Sequence, residues 1–374
     1  MILKKKKYSK TPLYEPFIGN KEKLYVNDCI DSNWISSRGK YVSYFENHFK
    51  KFIKSNYAVS VCNGTAALHL ALLSLDIKKG DEVIVPSFTY VATVNAIKYV
   101  GANVKFIDSK ISSWQIDEKL LPNMITSKTK AIIAPHIFGQ SCEMDKLIKI
   151  CKKNKLFLIE DCAEAFGTYY KKKHVGTFGD VSTFSFFGSK TITTGEGGMV
   201  VTNNSKIAKK VERLKMVGVV KDKYYWHNMI GYNYRMTNIC AAIGFAQISK
   251  ANMILKKKRT IFKTYKKNLI NLPLTLLEEQ TGTTHSYWVV TIRVLDEKIR
   301  DKLRKYLNLY NIETRPTFYP IHTMPMYYHK KYKKKLTNAI LLGKSGIILP
   351  SGPLLSKKQI ENVCNKIRNF PSFN

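Results

Sequence analysis

The stretch FSFFGSKTITTGEGGMVV, residues 184–201, places a lysine between an aromatic run and a cluster of glycines. Two interpretations fit this residue, Lys190. Either it ends a buried strand and extends its amine to solvent, or the amine is kept dry. In the second case burial lowers the pKa of the amine and makes it a nucleophile for carbonyl groups. The stretch alone leaves both interpretations open.

The segment CNGTAALHLAL carries Asn63, Gly64 and Thr65 where a helix is predicted to begin. Free N–H groups and the helix dipole attract anions at such an N-terminus. The same residues also suit a plain helix cap. An anion site and a cap therefore remain alternatives at this position.

A further strand end, LFLIEDCAEAFG, carries Glu160 and Asp161 after an apolar run. We expect one carboxylate to point into a cavity with little water, where it needs a cation or hydrogen-bond donors; the alternative is a helix cap by Asp161. Ser185 can donate to a phosphate, and Tyr90 in PSFTYVAT can stack on a ring. The spacing of GEGG matches neither a Walker loop nor a dinucleotide fingerprint, which excludes NTP hydrolysis and hydride transfer.

An anion cradle, a buried carboxylate and a dry lysine are the groups that pyridoxal 5'-phosphate requires. Lysine forms an imine with this cofactor, and aspartate keeps its ring nitrogen protonated so that the ring can accept electrons. The three groups stand in different segments of the chain, so the hypothesis depends on a fold that brings these segments together.

From about residue 56 the sequence alternates apolar strands, such as VIVP and LFLIED, with helices such as TAALHLALLSL. This order predicts a three-layer α/β domain over residues 1–250, with a mostly parallel sheet covered by helices on both faces. A lysine-rich helix and the strand SYWVVTIRVL predict a smaller α+β domain over residues 251–374. Ligands bind at the carboxyl ends of parallel strands, where the residues above are expected.

Composition restricts the class of protein. The seven cysteines are scattered without a CxxC pair, which is typical of a reduced cytosolic protein with no disulfide framework and no metal site. MILKKKKYSK lacks the apolar core of a signal peptide, and no apolar run approaches the roughly 18 residues of a membrane span. We therefore expect a cytoplasmic protein without a membrane partner.

The formal net charge of +35 suits a nucleic-acid binder. Of the 62 basic residues, however, nine are arginines and 53 are lysines, and arginine is the residue that base and phosphate recognition favours. The lysines stand in dispersed short runs such as KKKK (4–7) and KKYKKK (330–335). We predict solvated faces that attract a dianionic substrate, and we expect no nucleic-acid partner.

The chain resembles the DegT/DnrJ/EryC/StrS sugar aminotransferases, which have the aspartate-aminotransferase-like fold type I of pyridoxal-phosphate enzymes. The resemblance covers almost the whole chain. Its segments, in order, are WISSRGKYVSYFE, NGTAALHLAL, GDEVIVPSFTYVATVNAI, EDCAEAFG, VGTFGDVSTFSFFGSKTITTGEGGMVV, IGYNYRMTNICAAIG and TRPTFYPIH. One branch of the family has histidine in place of the lysine and dehydrates sugars. This chain keeps the lysine, which favours amino transfer.

The resemblance implies a role for each matching residue. Lys190 is the Schiff-base lysine, and Asp161 pairs with the pyridine nitrogen of the cofactor. The other cofactor residues implied are, from phosphate to ring, Gly64, Thr65, Ala66, Ser185, Tyr90 and Glu164, the last standing where many members have Gln or His. Asn233 is supplied by the neighbouring subunit to the phosphate, which implies a homodimer with shared active sites. The substrate-side residues implied are Arg235, Arg315 and His322.

The reaction that the resemblance implies is amino transfer from glutamate to carbon 4 of a nucleotide-linked 4-keto-6-deoxyhexose, for glycan biosynthesis. The product is a sugar of the viosamine type on UDP or dTDP, or of the perosamine type on GDP; the sequence does not distinguish these carriers. Two alternatives remain. One is a pyridoxal-dependent sugar dehydratase, and the other is a non-catalytic regulator or nucleic-acid binder that keeps the fold.

Overall fold

The computed structural model describes residues 9–220, 222–332 and 335–373. The lysine run at 4–7 and part of the run at 330–335 lie outside the described residues. The α-helices are α1 (Asn20–Asp31), α2 (Lys40–Ile53), α3 (Gly64–Ser74), α4 (Val91–Tyr99), α5 (Met144–Asn154), α6 (Ser205–Lys215), α7 (Asn238–Ser249), α8 (Ala251–Leu269), α9 (Glu297–Leu309), α10 (Thr337–Ser345) and α11 (Lys357–Arg368). Short 3-10 helices cover Glu118–Asn123, Ile137–Gly139, Ile321–Thr323, Pro325–Tyr327, Lys330–Tyr332 and Pro371–Phe373.

The strands form one large sheet and two small ones. They are β1 (Tyr57–Val61), β2 (Glu82–Pro86), β3 (Asn103–Ile107), β4 (Thr129–Pro135), β5 (Phe157–Asp161), β6 (Tyr169–Tyr170), β7 (Lys173–His174), β8 (Val181–Ser185), β9 (Gly198–Thr202), β10 (Thr275–Leu276), β11 (Thr283–Thr284), β12 (Val290–Arg293), β13 (Arg315–Pro316) and β14 (Gly346–Leu349). The large sheet has seven strands in the order β1-β9-β8-β5-β4-β2-β3. Only β9 runs opposite to the others in this sheet, so the predicted mostly parallel sheet is confirmed.

Helices cover both faces of the large sheet, because its strands are apolar on both faces. Side chains alternate along a strand, so Val83 and Val85 of β2 lie in one core and Ile84 lies in the other. The first core also takes side chains from α3, α4 and α6, and the second takes them from α2, α5 and α7. This arrangement confirms the predicted three layers.

The C-terminal part of the chain builds a four-stranded antiparallel sheet in the order β10-β12-β14-β13. A third core lies between this sheet and the helices α8, α9 and α11. The N-terminal arm packs here as well, because Thr11 bonds to Asn311 and the Ser351 N–H donates to the Leu13 carbonyl. The division into domains at residue 250 stays a prediction.

Four segments with predicted site residues leave the same edge of the large sheet. They follow β1, β2, β5 and β8, and all four strands run in one direction. The carboxyl ends of parallel strands meet at one edge, so residues far apart in sequence come together there. Among the described residues, no helix is both long and apolar enough to cross a membrane.

Candidate active site

A cavity of about 1110 Å³ opens at this edge of the sheet and reaches the C-terminal part of the chain. Its size and its mixed polar and apolar lining suit a ligand site. It brings together nine of the residues predicted from the sequence, namely Gly64, Thr65, Ala66, Tyr90, Asp161, Glu164, Ser185, Lys190 and Arg315. The same cavity is lined by Tyr14 and Trp288, which sequence reasoning missed.

The first turn of α3 forms an anion cradle at one end of the cavity. Asn63 caps the helix, and its side chain accepts from the Ala66 N–H at 2.8 Å. The N–H groups of Gly64 and Thr65 have no partner inside the helix, as at any helix start. A Cβ at Gly64 would lie 2.8 Å from the Ser185 Cβ, so glycine permits the close approach of α3 to the end of β8. The cap is present, and it leaves room for an anion at the same helix start, which stays a prediction.

At the end of β5 the structure shows which of the two carboxylates, Glu160 or Asp161, faces the cavity. Asp161 lines the cavity, where it accepts from the Thr93 hydroxyl at 2.7 Å and from the Ala163 N–H at 3.1 Å. Glu160 points to the opposite face, because neighbouring side chains on a strand alternate. There it is fully buried, and it accepts the N–H groups of Gly176, Phe178 and Gly179 at 2.7–2.8 Å.

Glu160 also belongs to a buried cluster with His136 and Cys162, whose ligand atoms lie within 4.8 Å of one another. The donor set does not suit a metal ion, since both ring nitrogens of His136 are engaged. Its Nδ1 accepts from the Cys142 N–H at 3.0 Å, which leaves Nε2 to donate to Glu160 at 3.1 Å. Burial raises the pKa of the Cys162 thiol to about 12, so the thiolate that binds metals is disfavoured. We interpret the cluster as structural support beneath the cavity.

Lys190 extends into the cavity with only 14% of its side chain exposed. Its Nζ lies 3.8 Å from Glu164 Oε1 and 4.1 Å from the centroid of the Trp288 ring. Burial lowers the pKa of Lys190, although the carboxylates of Glu164 and Asp161 act in the opposite direction. The structure therefore favours the interpretation of a dry amine over that of a lysine extended to solvent.

Glu164 is the closest acidic partner of this amine. Burial raises its pKa to about 7, against the opposing effect of Lys190. Its Oε2 accepts from the Phe138 N–H at 2.7 Å, which leaves Oε1 facing Lys190. Burial thus shifts both members of the pair toward their neutral forms.

The backbone on either side of Lys190 is held by distant side chains. The Tyr14 hydroxyl donates to the Lys190 carbonyl at 2.7 Å, and Trp288 Nε1 donates to the Ser189 carbonyl at 2.7 Å. We call residues 187–190 the lysine loop. No local signal marks Tyr14 or Trp288 in the sequence, since the contacts join segments about 100 residues or more apart.

Three predicted residues lie outside this cavity. Asn233 is exposed, and its Oδ1 accepts from Arg235 at 2.9 and 3.2 Å. His322 is buried, and its Nδ1 lies 2.6 Å from the Ser87 hydroxyl. The roles inferred for these residues, including the supply of Asn233 to a neighbouring subunit, stay predictions.

The side chains in the cavity fit the three functional parts of pyridoxal 5'-phosphate. The cradle of α3 with Ser185 suits a phosphate, the Asp161 carboxylate suits a ring nitrogen, and the amine of Lys190 suits an aldehyde. Tyr90 stands at the cavity wall with an exposed ring. The residues present therefore accommodate the group for which the sequence argues.

Comparisons with known proteins agree with this geometry. A sequence model of the DegT/DnrJ/EryC1/StrS aminotransferase family matches residues 16–368. The GDP-perosamine synthase of Escherichia coli O157:H7 is 52% identical over 361 residues, which are 96% of this chain and 98% of that protein. The GDP-perosamine synthase of Vibrio cholerae is 50% identical over 362 residues, which are 96% of this chain and 98% of that protein. The solved structure of Helicobacter pylori PseC, an aminotransferase involved in the biosynthesis of pseudoaminic acid, is 27% identical with a TM-score of 0.92. The match covers 98% of this chain and 100% of that chain.

Proposed function

Since the chain belongs to the DegT/DnrJ/EryC1/StrS aminotransferase family, we propose that it transfers an amino group from glutamate to carbon 4 of GDP-4-keto-6-deoxymannose, which yields GDP-perosamine. Members of this family that keep the lysine, as this chain does, are pyridoxal-phosphate-dependent aminotransferases of fold type I. The observation that carries the proposal is the buried Lys190 amine, which stands beside Glu164 in a cavity that also contains an anion cradle and Asp161.

The cofactor would be held by residues of the cavity edge. Gly64, Thr65 and Ala66 would bind its phosphate through the first turn of α3, together with the Ser185 hydroxyl. Asp161 would pair with the ring nitrogen, oriented by the Thr93 hydroxyl that it accepts. Tyr90 would stack on the ring, and the partner subunit's Asn233 would reach the phosphate.

When bound, pyridoxal 5'-phosphate supplies an aldehyde that bonds to amines and a ring that accepts electrons. Lys190 would hold the cofactor through Nζ and would take up and return a proton at that nitrogen. A neutral amine is needed for both tasks, and burial favours it by lowering the pKa of Lys190. Glu164 holds a proton near pH 7 and thereby limits the negative charge beside the amine.

The proposed nucleotide carrier and the proposed carbon of the sugar both rest on the names of similar proteins. The two synthases that are 52% and 50% identical over nearly the whole chain are named for GDP-perosamine. This identity favours GDP over UDP and dTDP, and amination at carbon 4. Arg315 is the candidate for binding an anionic group of donor or sugar, because this residue lines the cavity and its side chain is 67% exposed.

The test is conversion of GDP-4-keto-6-deoxymannose by the purified protein with 15N-labelled glutamate. The proposal predicts GDP-perosamine with the label on carbon 4, identified by mass spectrometry and NMR. Lys190→Ala should lower the rate by about 10²–10⁴-fold or more. UDP- and dTDP-4-keto-6-deoxyglucose serve as competing substrates. Faster conversion of either would overturn the assignment of GDP as the nucleotide carrier. Sugar dehydration without label transfer would instead indicate the dehydratase.

A further inference from the structure

A second buried lysine lies behind the cavity. Lys258 of α8 is 1% exposed, and its Nζ donates to the carbonyls of Trp288 at 2.8 Å and Ser351 at 2.9 Å. The same nitrogen lies 4.6 Å from the centroid of the Tyr14 ring. Among the described residues it forms no salt bridge with a carboxylate. A buried amine without an acidic partner is costly to desolvate, so its presence requires an explanation.

The residues that Lys258 contacts are the ones that hold the lysine loop. Tyr14 donates its hydroxyl to the Lys190 carbonyl, and Trp288 donates Nε1 to the Ser189 carbonyl. One amine therefore contacts the Tyr14 ring and the backbone carbonyl of Trp288, and these two residues hold the backbone around Lys190. The Trp288 ring also covers the Lys190 amine, with 4.1 Å between Nζ and the ring centroid.

The third partner, Ser351, extends this contact to the N-terminal arm. Its N–H donates to the Leu13 carbonyl at 2.8 Å, directly before Tyr14. Its hydroxyl accepts from the Val290 N–H at 2.8 Å, two residues after Trp288. Lys258 thus joins the two segments, 13–14 and 288–290, from which the loop is held.

We propose that Lys258 is a positioning residue, which fixes Tyr14 and Trp288 and through them the backbone that carries Lys190. An apolar residue at 258 would leave the buried carbonyls of Trp288 and Ser351 without a donor. The free-energy cost of an unpaired buried carbonyl is larger than the net stabilisation from a typical hydrogen bond. Burial lowers the pKa of Lys258 to about 7, yet a neutral amine keeps two N–H donors for the two carbonyls. The arrangement therefore holds in either protonation state.

The test compares Lys258→Met with Tyr265→Phe by hydrogen–deuterium exchange of the full-length protein, with and without pyridoxal 5'-phosphate. Tyr265 is the matched control, because it lies on the same helix and donates to the neighbouring Pro350 carbonyl at 3.0 Å. Among the described residues, no hydrogen bond or ring contact joins it to Tyr14 or Trp288. Lys258→Met should accelerate exchange in peptides covering 186–194 by about tenfold, as expected for the loss of strong hydrogen bonds. Tyr265→Phe should leave these peptides unchanged.

Lys258→Gln separates positioning from general destabilisation, because its amide offers two donors for the two carbonyls. We expect it to restore slow exchange in part. In the holoenzyme, Lys258→Met should also shift the pH midpoint of the visible cofactor band, and Tyr265→Phe should not. Exchange in 186–194 equal to that of the wild type in Lys258→Met would overturn the proposal.

If Lys258→Met does not fold, Tyr14→Phe and Trp288→Phe are used to test the proposal. Each of these variants removes one hydrogen-bond donor to the lysine loop and leaves Lys258 in place. Faster exchange in 186–194 for both supports the proposal, and unchanged exchange for both contradicts it. The exchange measured without cofactor does not depend on the reaction catalysed. Failure of this inference is therefore distinct from failure of the proposed function.

Discussion

At the scale of single residues, Lys190 and Glu164 form a pair in which burial acts on both partners toward the neutral form. Burial lowers the pKa of Lys190 and raises that of Glu164 to about 7. Mutual attraction would favour the charged pair, but both groups lose hydration in the cavity. Burial thus increases the fraction of the amine that carries a free lone pair, which is the property that bonding to a carbonyl requires.

The charge of Glu164 should control the basicity of Lys190. The carboxylate raises the pKa of Lys190, so Glu164→Gln should lower this pKa further. The pH dependence of Lys190 acetylation in protein without cofactor, read by mass spectrometry, gives this pKa. Glu196→Gln is the control, because Glu196 lines the cavity but is not among the groups that shift Lys190. An unchanged or higher pKa in Glu164→Gln would contradict the account.

Lys258 should make stability depend on pH in a defined direction. Burial lowers its pKa to about 7, whereas the unfolded chain keeps it near about 10.4. Between these values the unfolded state binds more protons, so the contribution of Lys258 to the free energy of unfolding rises with pH, by at most about 1.4 kcal/mol per unit. The difference in unfolding free energy between wild type and Lys258→Met, measured in urea, should therefore grow from about pH 7 to pH 10.

The control for this titration is Arg300→Met. Arg300 is also buried, at 2% exposed, but a guanidinium stays protonated throughout this range. The difference in unfolding free energy between wild type and Arg300→Met should therefore not grow with pH as it does for Lys258→Met. A pH-independent difference for Lys258→Met would show that the amine has an ordinary pKa.

At the scale of elements, the cavity depends on how closely the start of α3 approaches the end of β8. Gly64 permits this contact, since a Cβ there would lie 2.8 Å from the Ser185 Cβ. The two elements supply the predicted phosphate site from opposite sides. Their spacing therefore determines whether N–H groups and hydroxyl can reach the same anion.

Gly64→Ala should weaken the binding of pyridoxal 5'-phosphate by about tenfold or more, because the methyl group forces α3 away from Ser185. Spectroscopic titration of the protein with cofactor gives the dissociation constant. Gly188→Ala is the control from the lysine loop, where an added Cβ meets nothing within 4 Å. Equal affinity for Gly64→Ala and wild type would argue against a phosphate at this contact.

The sequence was informative where the signal is local or periodic. Alternating apolar strands and helices predict the parallel sheet, and the sheet predicts that Asp161, Ser185 and Gly64 share an edge. Which of Glu160 and Asp161 faces the cavity depends on the face that each side chain takes in the sheet. The strand pattern therefore left the two undecided, and only the family resemblance selected Asp161. Tyr14 and Trp288 were missed, because their contacts exist only once both ends of the chain pack around the lysine loop.

At the scale of the whole molecule, Asn233 and Arg235 lie apart from the nine predicted residues that line the cavity. Both lie outside the cavity of their own chain, where Arg235 donates to Asn233. A homodimer in which each subunit supplies Asn233 to its partner would give these residues a site.

Mixing two inactive variants tests this sharing. Lys190→Ala and Asn233→Ala should each lose activity as homodimers. A hybrid dimer contains one cavity with an intact Lys190 and the partner subunit's intact Asn233, so unfolding and refolding the variants together should restore activity. Sedimentation velocity checks that dimers form. If Asn233 acted within its own chain, every cavity of the hybrid would carry one defect, and the mixture would stay inactive.

The most direct test of the central claim is to find which of the 53 lysines bonds to the cofactor. The purified protein is incubated with pyridoxal 5'-phosphate, reduced with borohydride, digested and mapped by mass spectrometry. The account predicts a single stoichiometric pyridoxyl group, on Lys190, that disappears in Lys190→Ala together with the visible absorbance band. Stoichiometric labelling of another lysine, or a protein that takes up no cofactor, would contradict it.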